Sequence, residues 1–197
     1  LFYPRSVMVV GVSNAPVNMG KSIVMNLDRF KFQGPVYCVG KGGGYLGDRK
    51  IYETIDEVDA VPDLAVFLIP ARFVPEAVDA CGRKGTRYAV IETAGFNEYG
   101  EEGRDLERQL CQAARRWNMR FVGPNCISII NLENGLVLPF VPFNPAGTKQ
   151  GHISLAAQSG GVIVDAVRLL SLENLGFNKL ISMGNKLNLN ESNFLEY

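Results

Sequence analysis

Val36-Tyr37-Cys38-Val39-Gly40-Lys41-Gly42-Gly43-Gly44-Tyr45-Leu46-Gly47 is the stretch on which the reading of the chain turns. A short apolar run with the β-branched and aromatic character of a strand ends in a glycine, a lysine and three more glycines. In a dinucleotide-binding α/β fold that holds NAD, an Asp or Glu stands at about this point and accepts hydrogen bonds from the ribose hydroxyls. A cation on a bare backbone does the opposite: it takes a phosphate and lets a ligand lie against the main chain. The competing reading is a solvated lysine on a flexible surface turn.

Outward from this point, apolar runs at residues 6–12, 36–39, 64–69, 88–92 and 119–122 predict five strands. Helical patterns at 20–30, 74–84 and 101–117 separate them, with a weaker helical turn at 54–58. Strands alternating with helices predict a parallel sheet wrapped by helices, and continuous Val/Ile/Leu character fits strands buried on both faces. The helix at 101–117 has acids near its start and Arg115-Arg116 near its end, as the helix dipole favours. Pro139, Pro142, Pro145 and Gly147 then break the rhythm across residues 138–150. The rhythm restarts with a strand at 152–156, a helix at 161–170, a strand at 179–182 and a helix from about Asn190. The organisation expected is a first unit at 1–137, a linker at 138–150 and the beginning of a second unit at 151–197. That second unit is too small to close a core alone and stops in mid-element, so a piece of a longer chain is expected.

The totals exclude several classes. Lys plus Arg equals Asp plus Glu at 20 each, so no broad basic field draws nucleic acid. No apolar run approaches the length of a membrane span. Leu1-Phe2-Tyr3-Pro4-Arg5-Ser6 has neither a charged leader nor a long apolar core, and the four cysteines are scattered without a CxxC pair. A cytoplasmic protein with reduced cysteines and no metal site is expected.

Several segments carry chemistry. In Gly11-Val12-Ser13-Asn14-Ala15-Pro16-Val17-Asn18-Met19-Gly20-Lys21, Gly11 closes a strand and Gly20 opens a helix. Backbone N–H groups and a helix N-terminus then face one crevice and cradle phosphate, with Ser13, Asn14 and Met19 as lining residues. The turn is longer than GxGxxG, which argues against standard NAD binding. With Lys41 and Gly42 across the crevice, the nucleotide carries an extra phosphate there, as coenzyme A and NADP do. Pro70, and Thr93, Ala94 and Gly95, lie at the ends of the third and fourth strands, where open parallel sheets bind ligands, although simple turn chemistry explains each alone. Asn125 donates to a ligand carbonyl or caps its own turn. Cys126 has no histidine in its unit to activate it, so it is structural or pocket-lining rather than nucleophilic. Ser159, Gly160 and Gly161 repeat the anion-site arrangement in the second unit, with a plain N-cap at Ser159 as the alternative. His152 stands alone and reads as structural, so no catalytic residue is assigned.

Taken in order, Pro4-Arg5-Ser6-Val7, Val10-Gly11-Val12-Ser13, Gly40-Lys41-Gly42-Gly43, Ile69-Pro70-Ala71, Ala94-Gly95-Phe96, Gly100-Glu101-Glu102-Gly103, Gly123-Pro124-Asn125-Cys126 and Gln158-Ser159-Gly160-Gly161 resemble the CoA-binding region of NDP-forming acyl-CoA synthetases. That family includes ADP-forming acetyl-CoA synthetase and the alpha subunit of succinyl-CoA synthetase, and the resemblance covers the whole chain.

The resemblance implies a Rossmann-like CoA-binding domain followed by the start of a flavodoxin-like α/β domain. It implies that residues 13–20 and Lys41 hold the nucleotide part of coenzyme A, and that Pro70, Thr93 to Gly95 and Asn125 lie along its pantetheine arm. Ser159, Gly160 and Gly161 then receive the phosphoryl group of a phosphohistidine, which passes phosphate between an ATP-grasp part and the acyl group. ATP or ADP with Mg enters only through that ATP-grasp domain or subunit, and an oligomer is expected. The family's phosphorylated histidine lies further along than Tyr197 and His152 does not match it, so this stretch alone is expected to be inactive. The segment Gly184-Asn185-Lys186-Leu187-Asn188-Leu189-Asn190-Glu191-Ser192-Asn193 carries Asn where many relatives carry Asp, which removes the charge an acidic role of that loop would need. Two other readings are a CoA-binding regulatory module, such as the ligase-like region of a protein acetyltransferase, and an NADP-dependent reductase.

Overall fold

The computed structural model describes residues 1–196. Strands β1 (Val7–Val10), β2 (Val36–Val39), β3 (Gly44–Leu46), β4 (Arg49–Tyr52), β5 (Leu64–Phe67), β6 (Tyr88–Ile91) and β7 (Arg120–Val122) form one sheet in the order β3-β4-β2-β1-β5-β6-β7. Every pairing is parallel except β3 with β4, and the register aligns Val9 with Cys38 on one side and Val66 on the other. The parallel order follows from the helices α1 (Met19–Arg29), α2 (Val74–Lys84) and α3 (Glu101–Arg116), which carry the chain back between successive strands.

Strand β1 is buried along its whole length. Its odd residues Val7 and Val9 pack with Ile23, Val24 and Leu27 of α1, while Met8 and Val10 pack with Val78 of α2 and Leu110 of α3. Successive side chains leave a strand on opposite faces, so a sheet covered on both sides needs an unbroken apolar run. The helix ends follow local chemistry too. Asn18 caps α1, Pro75 sits in the first turn of α2, and Gly85 ends α2 in the left-handed region at φ 108°.

The structure adds two features that apolar runs do not signal. The glycine-rich stretch continues into the β3–β4 hairpin at the sheet edge, and the expected turn at 54–58 is one backbone hydrogen bond, Val58 N–H to the Ile55 carbonyl, beside a side-chain bond from Thr54 to Glu57. A second sheet contains β8 (Ile129–Asn131), β9 (Leu136–Val137), β10 (Gln150–Ala157) and β11 (Phe177–Ser182) in the order β10-β11-β8-β9. Strand β10 runs parallel to β11, whereas β8 and β9 are antiparallel. Residues 129–137, which fall before the proline-rich segment, are therefore hydrogen-bonded into the sheet that follows it. Helices α4 (Gly160–Leu172) and α5 (Glu191–Leu195) complete the described chain. The proline-rich segment is strapped to α1 by the buried Asn26, whose Nδ2 donates to the Pro139 and Val141 carbonyls at 2.8 Å and whose Oδ1 accepts from Phe143 N–H at 3.2 Å.

Candidate functional site

The carboxyl ends of β1, β2 and β5 open into a crevice of about 650 Å³ lined by Gly11, Ser13, Lys41, Glu53, Thr54 and Pro70 among others. Its first wall is the turn from β1 to α1, and Asn18 shapes that turn. Asn18 Oδ1 accepts from the backbone N–H of Ser13 at 3.2 Å and Lys21 at 2.7 Å, while Nδ2 donates to the Gly11 carbonyl at 3.1 Å. The Gly11 and Val12 N–H groups both go to the Val39 carbonyl. Here the expectation is corrected: the Gly11 and Ser13 amides are spent on the protein itself. The first-turn donors that the cap leaves over are those of Met19 and Gly20.

The two glycines are instead required by close approach. A Cβ on Gly11 would stand 2.2 Å from the Leu68 carbonyl oxygen, and one on Gly20 would stand 2.6 Å from the Gly11 carbonyl oxygen. Helix α1 thus begins directly against the strand end, and its positive pole opens onto the crevice. Asn14 and Met19 are exposed at the rim.

Across the crevice, Gly43 N–H bonds the Gly40 carbonyl at 3.0 Å and closes a tight turn that leaves Lys41 exposed. Among the described residues, no carboxylate forms an ion pair with Lys41. Gly42 has a positive φ of 86° and open space around it, so the glycine serves the turn. Glu53, Thr54 and Ile55 close the far wall, a role no local sequence pattern signals. Arg72, two residues past Pro70, lies 4.6 Å from the Phe73 ring centroid.

The rim continues over β6 and β7. Thr93 is buried, its hydroxyl donating to the Ile69 carbonyl at 2.8 Å and accepting from the Ile69 N–H at 3.3 Å. It therefore ties two strand ends together, while Ala94 is the exposed residue of the loop. Gly95 N–H donates to Glu98 Oε1 at 2.7 Å. Asn125 adopts φ 57° after a cis Gly123–Pro124 bond; its N–H bonds the Thr93 carbonyl at 2.9 Å and its side chain is exposed. Cys126 is corrected as a ligand contact. Its thiol is buried against the Ile91 carbonyl, and burial pushes its pKa far up, out of the range of a useful thiolate.

The loop before α4 carries Ser159 as N-cap, with no hydrogen bond from its hydroxyl to the helix. A Cβ on Gly160 would sit 2.2 Å from Ile127 Cγ1, whereas Gly161 lies open. This loop meets the first rim through Gln158, whose Nε2 donates to the Gly184 carbonyl at 3.2 Å, and Gly184 packs against Pro124 and Asn125. Beneath the junction lies Glu92, fully buried, with neither carboxylate oxygen at hydrogen-bonding geometry. Desolvation raises its pKa well above the ordinary value, and the nearby Ser128 hydroxyl and Phe140 backbone N–H offset this only in part. His152 is exposed near the start of β10, at the opposite end of that strand from Gln158 and Ser159.

The CoA binding domain family matches residues 5–131. The chain belongs to that family. A second family, the succinyl-CoA ligase like flavodoxin domain, matches residues 150–197. Among curated proteins it is 39% identical over 197 residues to acetate–CoA ligase [ADP-forming] I of Archaeoglobus fulgidus, covering 100% of the chain and 28% of that protein. It is 34% identical over 201 residues to the acetate–CoA ligase [ADP-forming] I subunit alpha of Pyrococcus furiosus, covering 100% of the chain and 43% of the subunit. Among solved structures it matches the apo form of dinucleotide forming acetyl-coenzyme A synthetase 1 of Ca. Korarchaeum cryptofilum with a TM-score of 0.92 and 31% identity. That match covers 99% of this chain and 42% of the other. The resemblance to NDP-forming acyl-CoA synthetases and the Rossmann-like plus flavodoxin-like α/β architecture are thereby borne out, and the chain spans less than half the length of these relatives. Among the described residues no helix is long and apolar enough to cross a membrane.

Proposed function

We propose that this chain binds coenzyme A along the carboxyl rim of its seven-stranded sheet and is the CoA-handling part of an NDP-forming acyl-CoA synthetase. The observation that carries the reading is the crevice between the α1 N-terminus and Lys41, where two positive elements face one another across an apolar floor. A long ligand with phosphates at one end fits that arrangement, because the amides and the ammonium take anions while glycine lets the ligand approach the backbone.

In this reading the chain has two tasks. Met19, Gly20, Lys41 and Gly42 hold the nucleotide end. Pro70, Ala94, Gly95 and Asn125 guide the arm along the strand ends toward the junction with the second unit. Coenzyme A, when bound, supplies the thiol that takes the acyl group. The free hydroxyl of Ser159 and the first-turn amides of α4 receive a phosphoryl group brought by the rest of the enzyme. The division into a CoA unit, a connecting segment and a phosphoryl-handling unit follows from these tasks. An ATP-grasp domain or partner subunit, in keeping with the alpha-subunit name of the Pyrococcus relative, supplies ATP or ADP with Mg. Acetate, or a related small carboxylic acid, is the acyl substrate class, an oligomer is the expected assembly, and the four unpaired cysteines suit the cytoplasm.

Calorimetry on the chain with coenzyme A, dephospho-coenzyme A and NADP tests this. Coenzyme A is expected to bind most tightly. Tighter binding of NADP would replace the ligase reading with a reductase one, and no heat with coenzyme A would end it.

A further inference from the structure

The loop that follows β11 reaches from the second unit back onto the rim of the first. Gly184, at φ 58°, leaves no room for a side chain, since a Cβ there would be 2.2 Å from the Pro124 carbonyl oxygen and 2.5 Å from that of Asn125. The next residue, Asn185, donates its backbone N–H to the Pro124 carbonyl at 2.9 Å. Its side-chain Nδ2 donates to Glu98 Oε2 at 2.7 Å, and its Oδ1 accepts from Asn125 Nδ2 at 3.4 Å. Glu98 is itself fixed, because its other oxygen accepts the Gly95 N–H at 2.7 Å.

The direction of this relay is set by chemistry. An ionised carboxylate only accepts hydrogen bonds, so Asn185 must turn its NH₂ group toward Glu98. Its carbonyl then faces Asn125, and Asn125 must answer with NH₂. The amide flip, which coordinates alone leave open, is thus decided at both asparagines. What remains outward at Asn125 is its carbonyl oxygen.

We propose that Glu98 and Asn185 are positioning residues that hold the exposed Asn125 amide with its Oδ1 outward, so that this point of the rim accepts a hydrogen bond from an N–H group of the ligand. Such a site selects for an amide N–H, of which the pantetheine arm of coenzyme A has two, over a carbonyl. The inference rests on the coenzyme A reading above, and it places a residue of the second unit in control of the first unit's ligand surface.

A cycle of isosteric variants tests it. Glu98→Gln can accept from Gly95 and donate its NH₂ to a flipped Asn185, which reverses the relay and turns the Asn125 NH₂ outward, and Asn185→Asp puts a carboxylate against Glu98. Combining Glu98→Gln with Asn185→Asp restores complementarity with the polarity reversed. The introduced amide donates to the introduced carboxylate, which still accepts from Asn125, and the amide's carbonyl still accepts the Gly95 N–H. Each single variant is expected to weaken coenzyme A about tenfold by calorimetry, about the cost of one mismatched hydrogen bond to the ligand. The double variant is expected to return to within about threefold of the unmodified chain; without ligand, Asn185→Asp alone should lower the unfolding temperature, and adding Glu98→Gln should restore it. Multiplying losses in the double variant, or single variants that bind like the unmodified chain, would overturn the inference. Failure of the unmodified chain to bind coenzyme A is a separate result that removes the ligand reading, while the ligand-free unfolding cycle still decides the relay.

Discussion

Asn18 Nδ2 donates to the Gly11 carbonyl at 3.1 Å across the first turn, joining the base of helix α1 to the end of strand β1. With its Oδ1 capping the same helix, one side chain sets both the path of the turn and the exposure of the helix amides.

Replacing it tests that coupling. Asn18→Ala removes a cap and leaves the Gly11 carbonyl without its partner, so a loss of about 1–2 kcal/mol in unfolding free energy is expected. Coenzyme A binding should weaken as well, because the Met19 and Gly20 amides lose their fixed direction. Asn18→Asp keeps the cap but sets a carboxylate oxygen against the Gly11 carbonyl, so only part of the stability should return. Urea unfolding and calorimetry on both variants check this.

Lys41 gives a prediction about charge. Lys41→Ala is expected to weaken coenzyme A by about 1–3 kcal/mol, the range for a hydrogen bond to a charged group. Because Lys41 is exposed, the loss should shrink as salt is raised. An affinity that does not change with the substitution at low salt would move the phosphates elsewhere.

Glu92 gives a pH dependence whose sign is fixed by its burial. Its folded pKa is raised, so the folded chain keeps a proton that the unfolded chain gives up once the pH passes the ordinary carboxyl range. The stability linked to this group is complete below that range and is lost as pH rises, at up to about 1.4 kcal/mol per pH unit until the folded carboxyl ionises. Glu92→Gln should remove that slope and raise the unfolding temperature more at pH 8 than at pH 5. Parallel curves for the two proteins would show that Glu92 is ionised in the fold.

The thiols differ in reach. Burial raises Cys38 to about 11 and pushes Cys81 and Cys126 higher still, while Cys111 is only half-buried on α3 and its rise is partly offset by Arg115. One thiol is expected to react with a disulfide reagent in the native state near pH 8, and Cys111→Ser should abolish that phase. All four should react once the chain is unfolded.

The parallel sheet was legible because its strands are buried on both faces and so spell out uninterrupted apolar runs. Helix α2 even keeps the expected bounds, since Pro75 and Gly85 mark its ends. The β3–β4 hairpin was not legible: Gly44, Tyr45, Arg49 and Lys50 form an exposed edge with no alternation to read. Nor was the membership of Ile129–Asn131 in the second sheet, which depends on a partner some fifty residues away at Lys179–Ile181. At the site, Lys41 and the glycines announced themselves through local composition. Asn18 could have been found by its N-cap preference just before the helix. Glu98 and Asn185 could not, because their role exists only where two distant loops touch.

The antiparallel pair β8–β9 has a practical bearing on how such proteins are taken apart or joined. Cutting the gene at the proline-rich segment would strip the downstream sheet of two of its strands and leave β11 with a raw hydrogen-bonding edge, an invitation to aggregate. Swapping the first unit between members of this family should therefore be done upstream of Ile129, so that the hairpin travels with the sheet it completes.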